Sequence, residues 1–525
     1  MTGSRPPVAL LAAAALVAAA AVTPFVWVAR DAVAGGRGAW DRAVDARALE
    51  LLRSTLVLTG AVTALCVVAG ALLAVLVVRC DLPCRRTLLW GLALPLAVPP
   101  FVAAIAWADL MSPAGPWARA LGWHGFVGLD GAVAVLSLTL FPYAFLVTAA
   151  ALHVTSPDAE EAARSLGLGP AAALLRVTVP TLRPALGAAA LLVALHVLAE
   201  FGTPQLMRYE TFTTAIFDQL TSLRLDRGAA SVLAMMLGGV ALLMLTAEWR
   251  LRPRGRTDPP TRPAEPLPLG PWRWPAFAAV LAVLAVSAGV PVGWLVWQAV
   301  AGAAGPEGFG EGLAGVGGPG PLELVRGSVL VAGGAAAACA LLAVPVAVLV
   351  TRFRGPLPLG VTWAAHAGYA LPGVVVALAV ISMVAGPLDA LAGSVLVIVA
   401  GMTLRYLPEA VQAARSSLAR VPAELEQAAR SLGHRPVTAF ARATLPVAGG
   451  GIVAGALLVF LSVIRELPAT LLLRPPGFDT LAVRTWVDAS EGLYRDAAPT
   501  GLVLVGICAL ALVGVLRLRP GGDPG

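Results

Sequence analysis

The octet EEAARSLG at residues 160–167 returns as EQAARSLG at residues 426–433, and the two copies differ at a single position. The spacing of 266 positions (426 − 160) persists outside the octet. It relates Pro170 to Pro436, Pro180 to Pro446 and Glu200 to Glu466. Matches in register over this length are not expected from shared composition, so the sequence predicts an internal duplication.

Each copy predicts a helix, a turn and a second helix. The alanine-rich part of the octet favours a helix, and Gly167 or Gly433 ends it because glycine readily takes a left-handed conformation. A proline suits the first turn of the second helix, and a later proline, Pro180 or Pro446, is expected to break that helix before the next membrane span. The predicted product is a short amphipathic helix at the cytoplasmic surface, suited to a groove on a partner protein.

The composition is that of a protein embedded in a bilayer. Of the 525 residues, 58% are hydrophobic and 13% are charged, with a mean hydropathy of +0.83, whereas about a quarter of the residues in a soluble domain are charged. All 37 basic residues are arginines, so the chain lacks the lysine that a Walker A nucleotide site requires. The net charge of +7 comes from arginines beside apolar runs, which indicates membrane topology rather than nucleic-acid binding.

Apolar windows of about 20 residues can cross a bilayer as helices, and they predict an all-α polytopic membrane protein with about twelve transmembrane helices. The first six are expected near 8–28, 54–78, 88–110, 131–153, 185–200 and 229–247, and the second six near 275–299, 328–350, 361–384, 391–411, 447–465 and 498–516. A linker rich in Pro and Arg at 249–273 separates a first half, 1–248, from a second, 274–525.

The predicted halves are parallel repeats, because six helices return the chain to its starting side before the linker. Arginines in the linker and in short loops place both termini in the cytoplasm. We expect the protein to lie in the lipid bilayer of a bacterial inner membrane.

The duplicated motif resembles that of a known transporter superfamily. Its spacing is Glu-Ala-Ala, three residues, Gly, nine residues and then aliphatic-x-aliphatic-Pro, and it is similar to the EAA loop of type I ABC importer permeases, at 156–184 and again at 421–450. Two such loops in one chain resemble the fused, two-half permeases. The segments EFGTP at 200–204 and ELPATLLLRP at 466–475 resemble those of fused ferric-iron permeases.

The resemblance implies a transport subunit rather than an enzyme. It implies that two copies of a separate ABC ATPase bind ATP and Mg and dock on the EAA loops, that a periplasmic substrate-binding protein delivers ferric iron, and that the chain itself binds no cofactor. The residues implied in ATPase coupling are Glu160, Glu161, Ala162, Ala163, Gly167, Pro180, Glu426, Gln427, Ala428, Ala429, Gly433 and Pro446.

The two copies depart from each other at the glutamate of the motif. This residue is Glu161 in the first copy, and its register partner is Gln427. Either the adjacent Glu426 substitutes for the missing carboxylate, or the second loop docks through hydrogen bonds without that charge.

Glu200 and Glu466 are the candidate residues of the cargo path. A carboxylate at membrane depth is costly and is functional by default, and each glutamate is expected to end a helix that rises from an EAA loop. Facing carboxylates would attract a hard cation such as ferric iron without holding it permanently, so no stable metal site is expected. The alternative is a glutamate that caps a helix or pairs with Arg208 or Arg465. Tyr143 is a further path candidate, with ordinary packing as its alternative.

Several other functions are compatible with parts of this pattern. The same architecture could import thiamine, a phosphonate or another small solute. An ion-driven secondary transporter predicts inverted repeats, which the parallel duplication does not match, and the sequence offers no nucleophile–base or metal constellation for a membrane enzyme. The charged loops 201–228 and 466–497 are expected either to dock the binding protein or to be solvated loops with local salt bridges.

Overall fold

The computed structural model describes residues 6–112, 115–121, 126–222, 226–251, 266–303, 320–353, 355–368 and 371–518. Within these residues the chain is helical, and one isolated bridge joins Cys80 to Leu267. Most of the predicted linker, 252–265, lies outside the described residues.

Helices follow one another along the whole described chain. Before the linker they are α1 Val8–Ala34, α2 Gly36–Ala43, α3 Ala46–Arg79, α4 Arg85–Gly91, α5 Pro100–Leu110, α6 Pro116–Leu121, α7 Gly128–His153, α8 Asp158–Ser165, α9 Pro170–Ala173, α10 Val179–Thr181, α11 Arg183–Ala199, α12 Gly202–Leu206, α13 Phe212–Thr221 and α14 Arg227–Leu251. After it they are α15 Arg273–Leu284, α16 Val290–Ala303, α17 Pro321–Arg352, α18 Pro356–Ala367, α19 Gly373–Val384, α20 Val395–Leu418, α21 Ala423–Ser431, α22 Pro436–Ala439, α23 Leu445–Ile464, α24 Pro468–Leu473, α25 Leu481–Ser490 and α26 Tyr494–Arg517.

The predicted all-α, polytopic fold is confirmed. In the described part of the chain, 9 helices are long and apolar enough to cross a membrane, or up to 11 if two bent pairs count as spans. A shorter apolar helix, α19, lies where the ninth predicted span was expected. Each of the twelve predicted windows therefore corresponds to a long helix, a bent pair or this short helix.

The prediction of one continuous helix over 88–110 is wrong. A 3₁₀ helix, Leu94–Ala97, follows α4, and the chain bends by 84° before α5. Pro95, Pro99 and Pro100 occupy this stretch, and proline removes an N–H donor and disrupts the preceding turn of an α-helix. The window 361–384 is likewise divided between α18 and α19.

The chain bends after Pro180, the last proline of the first copy of the duplicated motif, but not after its register partner Pro446. In the first half, Pro170–Thr181 and Arg183–Ala199 meet at 61°, with Pro180 before the bend and Pro184 after it. In the second half, Pro436–Ile464 is one span, so the predicted break at Pro446 is wrong. Pro180 and Pro446 both lie in the first turn of a helix directly after a π-helical turn. The bend in the first half therefore accompanies Pro184, whose register partner is Gly450.

The smaller of two compact units contains residues Ala46–Thr214 and Gly239–Ala301. Its centre is the pair α3 and α7, with α11 packed against both. A side chain at Gly70 of α3 would place its Cβ 2.6 Å from the Phe145 backbone nitrogen of α7, so glycine permits this close helix contact. Asp109, at the end of α5, accepts hydrogen bonds of 2.8 Å from both Trp294 and Gln298 on α16.

The larger unit contains residues Met1–Asp45, Ala215–Gly238 and Gly302–Gly525. In it α17 packs against α20 and α23, while α1 packs against α17, α18 and α19. The first helix of the chain therefore belongs to a compact unit with second-half helices. The compact units do not coincide with the predicted halves 1–248 and 274–525, which follow the sequence repeat.

Replacing Gly70 with alanine is expected to destabilise the protein, because the added methyl group would displace α7 backbone. Overpacking of this kind costs about 1–3 kcal/mol, and the thermal midpoint of the purified protein in detergent should fall. Gly60→Ala on the same helix is the matched control, since nothing lies within 4 Å of its added Cβ. An equal midpoint for the two variants would contradict the close contact.

Candidate functional site

The two predicted coupling loops, 156–184 and 421–450, are called the first and second coupling segments. The first is a helix–turn–helix, as the sequence predicts. Helix α8 ends before Gly167, which has a left-handed φ of 91°, and α9 starts at Pro170. The Gly167 and Leu168 backbone N–H groups donate to the Arg164 and Ala163 carbonyls, which completes the helix end. The second segment repeats this geometry, with α21, a φ of 88° at Gly433 and α22.

A buried ion pair fastens the first coupling segment to the preceding membrane helix. Nη2 of Arg79, the last residue of α3, lies 2.8 Å from both carboxylate oxygens of Glu160. Thr178 Oγ1 donates a further hydrogen bond of 2.6 Å to Glu160 Oε2. Both charged side chains are only 5% exposed. Because the carboxylate is bound from the membrane helix and from the end of its own segment, it holds α8 in one orientation.

The described end of the linker contacts the chain next to the same ion pair. The Leu267 N–H donates to the Arg79 carbonyl at 2.7 Å, and the Asp81 N–H donates back to the Leu267 carbonyl at 3.1 Å. Leu267 also packs with Cys80 and with Leu174 of the coupling segment. The linker end is therefore part of the framework that positions the first coupling segment.

The second coupling segment lacks this fastening. The register partners of Glu160 and Thr178 are Glu426 and Thr444, and Arg352 is the last residue of α17, as Arg79 is of α3. In the described part of the chain, Arg352 Nη2 and Thr444 Oγ1 are buried with no hydrogen-bond partner, and Glu426 is half-buried. The sequence shows a difference between the copies at Glu161 and Gln427. The structure shows a second difference, because among the residues that it describes Glu160 forms a buried ion pair and its register partner Glu426 does not.

The surfaces of both coupling segments present apolar side chains. Leu166 is 88% exposed and its register partner Leu432 is 81% exposed. Ala162 and Ala428 are also exposed, while Ala163 packs inward. An exposed leucine between a helix and a glycine turn, repeated in both copies, is suited to insertion into a partner's groove.

The two candidate path carboxylates cap short helices. Glu200 Oε1 accepts a hydrogen bond of 3.2 Å from the Thr203 backbone N–H at the start of α12. Glu466 Oε2 accepts bonds of 3.1 and 3.2 Å from the Ala469 and Thr470 N–H groups at the start of α24. These contacts match the capping alternative, since a carboxylate satisfies N–H groups that have no partner within the helix. Their role in the cargo path stays a prediction.

Glu466 also forms an ion pair that the sequence analysis did not find. Arg405 Nη1 of α20 lies 2.7 Å from Glu466 Oε1, and the Glu466 side chain is 2% exposed. Gly373, the first residue of α19, makes room for the pair, because a Cβ there would collide with Arg405 and Glu466. The register partner of Arg405 is Thr139, which bonds to its own helix.

Tyr143, the third path candidate, contacts a histidine. Its ring centroid lies 4.2 Å from that of His196, with 36° between the planes. His196 Nδ1 lies 2.8 Å from the Leu192 carbonyl. The two aromatic side chains come from α7 and α11, and both are half-buried.

Charged residues of the loops 201–228 and 466–497 make local ion pairs. Asp226 lies 2.7 Å from Arg42, and the Ala229 backbone N–H, followed by Arg42, lowers the pKa of the Asp226 carboxyl. Burial raises the pKa of Asp488 to about 6, although Arg484 lies 3.0 Å away. Among the described residues, no group of three or more His, Cys, Asp or Glu side chains is placed to hold a metal ion.

The sequence did not predict Arg79 and Arg405 as site residues. One signal was present: Arg79 and Arg352 both end a long apolar run and stand before similar loops. By themselves, arginines at such positions indicate membrane topology. Arg405 and Glu409 lie inside a predicted span, where charged residues merit attention by default.

Comparison with known proteins agrees with the duplicated architecture. The sequence pattern of the family described as binding-protein-dependent transport system inner membrane component matches residues 66–290 and 340–519. The Fe(3+)-transport system permease protein FbpB 2 of Haemophilus influenzae is 29% identical over 513 residues, which cover 95% of this chain and 96% of that protein.

Shorter matches connect the chain to permeases with other named cargoes. A probable molybdenum ABC transporter permease protein of Haloferax volcanii is 43% identical over 127 residues, 23% of this chain and 46% of the relative. A putative 2-aminoethylphosphonate transport system permease protein, PhnV, of Salmonella paratyphi A is 33% identical over 103 residues, 20% of this chain and 39% of the relative.

Glu160→Gln is expected to destabilise the first coupling segment, because it leaves the Arg79 charge buried without a counter-charge. Breaking a buried pair on one side costs about 3–5 kcal/mol, so the thermal midpoint in detergent should fall. Glu426→Gln is the matched control, since its carboxylate makes no ion pair with Arg352 in the described structure. Equal losses in both variants would show that the Arg79–Glu160 pair does not distinguish the copies.

Proposed function

The chain belongs to the family of binding-protein-dependent transport system inner membrane components, and we propose that it carries ferric iron into the cytoplasm. It is a multi-pass inner-membrane permease of an ABC importer, with the family pattern present twice. The proposed cargo arrives on a periplasmic binding protein, and the energy comes from ATP on a separate subunit.

The similarity to an Fe(3+) permease over 95% of this chain supports the proposed cargo. The molybdenum and phosphonate permeases match less than a quarter of it. A shared coupling segment can account for a short match, because coupling to an ATPase is common to permeases of different cargo. A match over both halves also includes the helices through which cargo would pass.

Import of an oxyanion or another small solute is the second candidate function. It is favoured by the relatives named for molybdenum and phosphonate. Arg405 supplies a cationic group at membrane depth in the larger unit, but its partner Glu466 offsets that charge. Thiamine import, the remaining alternative, has no relative among these matches.

The coupling segments are the proposed docking sites for two copies of the ATPase. Each presents an exposed leucine, Leu166 or Leu432, followed by a glycine with positive φ. ATP and Mg²⁺ would be held by that partner, because the chain has no lysine for a Walker A site. ATP binding and hydrolysis would alternate the permease between outward-open and inward-open states.

The Arg79–Glu160 pair supports the same assignment. A docking helix transmits movement only if it is firmly joined to a membrane helix, and this buried pair joins α8 to the end of α3. The coupling segments and both termini are proposed to lie in the cytoplasm, because arginines in cytoplasmic loops follow the positive-inside rule.

Radiolabelled ferric iron uptake is expected to be lost in a strain that lacks this chain and to return when the full chain is supplied. The binding protein and ATPase must be present in both strains. Molybdate, 2-aminoethylphosphonate and thiamine serve as control solutes. Normal iron uptake without the chain, together with lost uptake of one control solute, would replace iron by that solute.

Changing both Leu166 and Leu432 to serine is expected to reduce ATPase co-purification and ATP-driven uptake by roughly tenfold, because buried interface anchors each contribute more than about 1 kcal/mol. The thermal midpoint should be unchanged, since both side chains are exposed. Leu322→Ser is the control, at 80% exposure on α17. Full co-purification of the double variant would contradict docking through these leucines.

A further inference from the structure

Two pairs of residues related by the repeat place polar side chains in contact between membrane-spanning helices. The spacing of 266 relates Tyr143 to Glu409 (409 − 143) and His196 to Ser462 (462 − 196). Tyr143 and Glu409 each follow a proline within a long helix, α7 or α20. His196 and Ser462 lie on the helices that follow the coupling segments, α11 and α23.

The same two positions meet in both copies, with different chemistry. In the smaller unit the rings of Tyr143 and His196 are 4.2 Å apart. In the larger unit Ser462 Oγ donates to Glu409 Oε2 at 3.1 Å and lies 3.4 Å from Oε1. The duplication has therefore kept a contact between two helices while replacing a phenol and an imidazole by a carboxylate and a hydroxyl.

Glu409 is less completely bonded than the neighbouring carboxylate. Glu466 accepts from Arg405 and from two backbone N–H groups and is fully buried. In the described part of the chain, Glu409 accepts a hydrogen bond only from Ser462, and it is half-buried. A carboxylate at membrane depth is costly to insert, and one neutral hydroxyl offsets little of that cost.

Among the described residues, no charged side chain forms a tight ion pair with Glu409. Arg405 lies one turn earlier on α20 and gives its hydrogen bond to Glu466. Arg405 and Arg465 are both near enough to interact with Glu409 electrostatically. The carboxylate oxygens thus keep capacity for a further ligand, because a carboxylate has about four acceptor positions.

We propose that Glu409 and Ser462 form a transient contact site for a hard multivalent cation during its import. A carboxylate and a hydroxyl are oxygen ligands of the kind that hard cations prefer. Two protein ligands are too few for tight retention, which suits a transported ion that must leave again. The inference rests on the proposed iron import and names side chains that the passing ion contacts.

The cation contact that the sequence predicts at Glu466 is thereby assigned to Glu409 instead. Glu466 would have to release Arg405 and two backbone amides before it could bind a cation. In the described structure Glu409 would have to release only its hydrogen bond from Ser462. Glu409 is the register partner of Tyr143. The proposed cation contact in the second copy therefore lies at the position of the path candidate that the sequence predicts in the first copy.

Uptake of radiolabelled ferric iron is the first test, with the permease, ATPase and binding protein together. Glu409→Gln keeps the size and the bond to Ser462 but removes the charge, so uptake should fall roughly tenfold, as for loss of one charged contact. Glu409→Asp should recover part of the rate. Glu323→Gln, at the exposed start of α17, is the control and should leave uptake unchanged.

Labelling by a hydrophobic carbodiimide tests the site without relying on transport. The full-length purified permease is labelled with increasing ferric citrate, with sodium citrate as control, and the modified carboxyls are located by mass spectrometry. Ferric citrate should protect Glu409 and not Glu323. Failure to label Glu409, or labelling that ferric citrate does not reduce, would overturn the cation site.

The two measurements separate the inference from the proposed function. Wild-type transport of another solute but not iron would overturn the proposed cargo, and the labelling result would then decide the cation site alone. Wild-type iron uptake together with full uptake by Glu409→Gln would overturn the site and leave iron import standing. Ser462→Ala is the second variant if Glu409→Gln does not assemble, and full uptake by it with unprotected Glu409 would also reject the site.

Discussion

Backbone N–H and C=O groups inside a hydrocarbon core have no water to bond with, and every break in a membrane helix must satisfy them internally. In this chain Glu200 and Glu466 lie just after candidate spans that end at Ala199 and Ile464, and they supply acceptors to the amides at the starts of α12 and α24. The Arg405 charge in turn accompanies Glu466, and Gly373 leaves space for that pair. Charged residues at membrane depth are thus partly explained by the need to end and restart helices.

The duplication gives two coupling segments of the same form but with different attachment. The first is fastened by Arg79, Glu160 and Thr178, and its framework includes the described end of the linker. The corresponding Arg352 and Thr444 have buried polar atoms without partners in the described structure. Arg79 Nε is also buried without a partner, so the difference between the copies is the ion pair and the Thr178 hydrogen bond, which only the first segment makes among the described residues.

The candidate cargo contacts show how the repeat diverged. The positions of Tyr143 and His196 became Glu409 and Ser462 in the second copy, yet the two helices still meet there. A helix contact depends on backbone spacing and on small residues such as Gly455, whose added Cβ would strike Ala413. The chemistry at the contact can therefore change while the packing remains, which provides a route to different cargoes in one architecture.

The sequence by itself determined the duplication, the all-α membrane fold, the positions of the twelve apolar windows and the helix–turn–helix form of each coupling segment. These follow from local hydrophobicity, glycine and proline, whose effects act within a few residues. Only the tertiary structure decided that Glu200 and Glu466 cap helices, that Arg79 selects Glu160, and that α1 packs with second-half helices. Those outcomes depend on which distant side chains come within hydrogen-bond distance, and spacing along the chain does not contain that information.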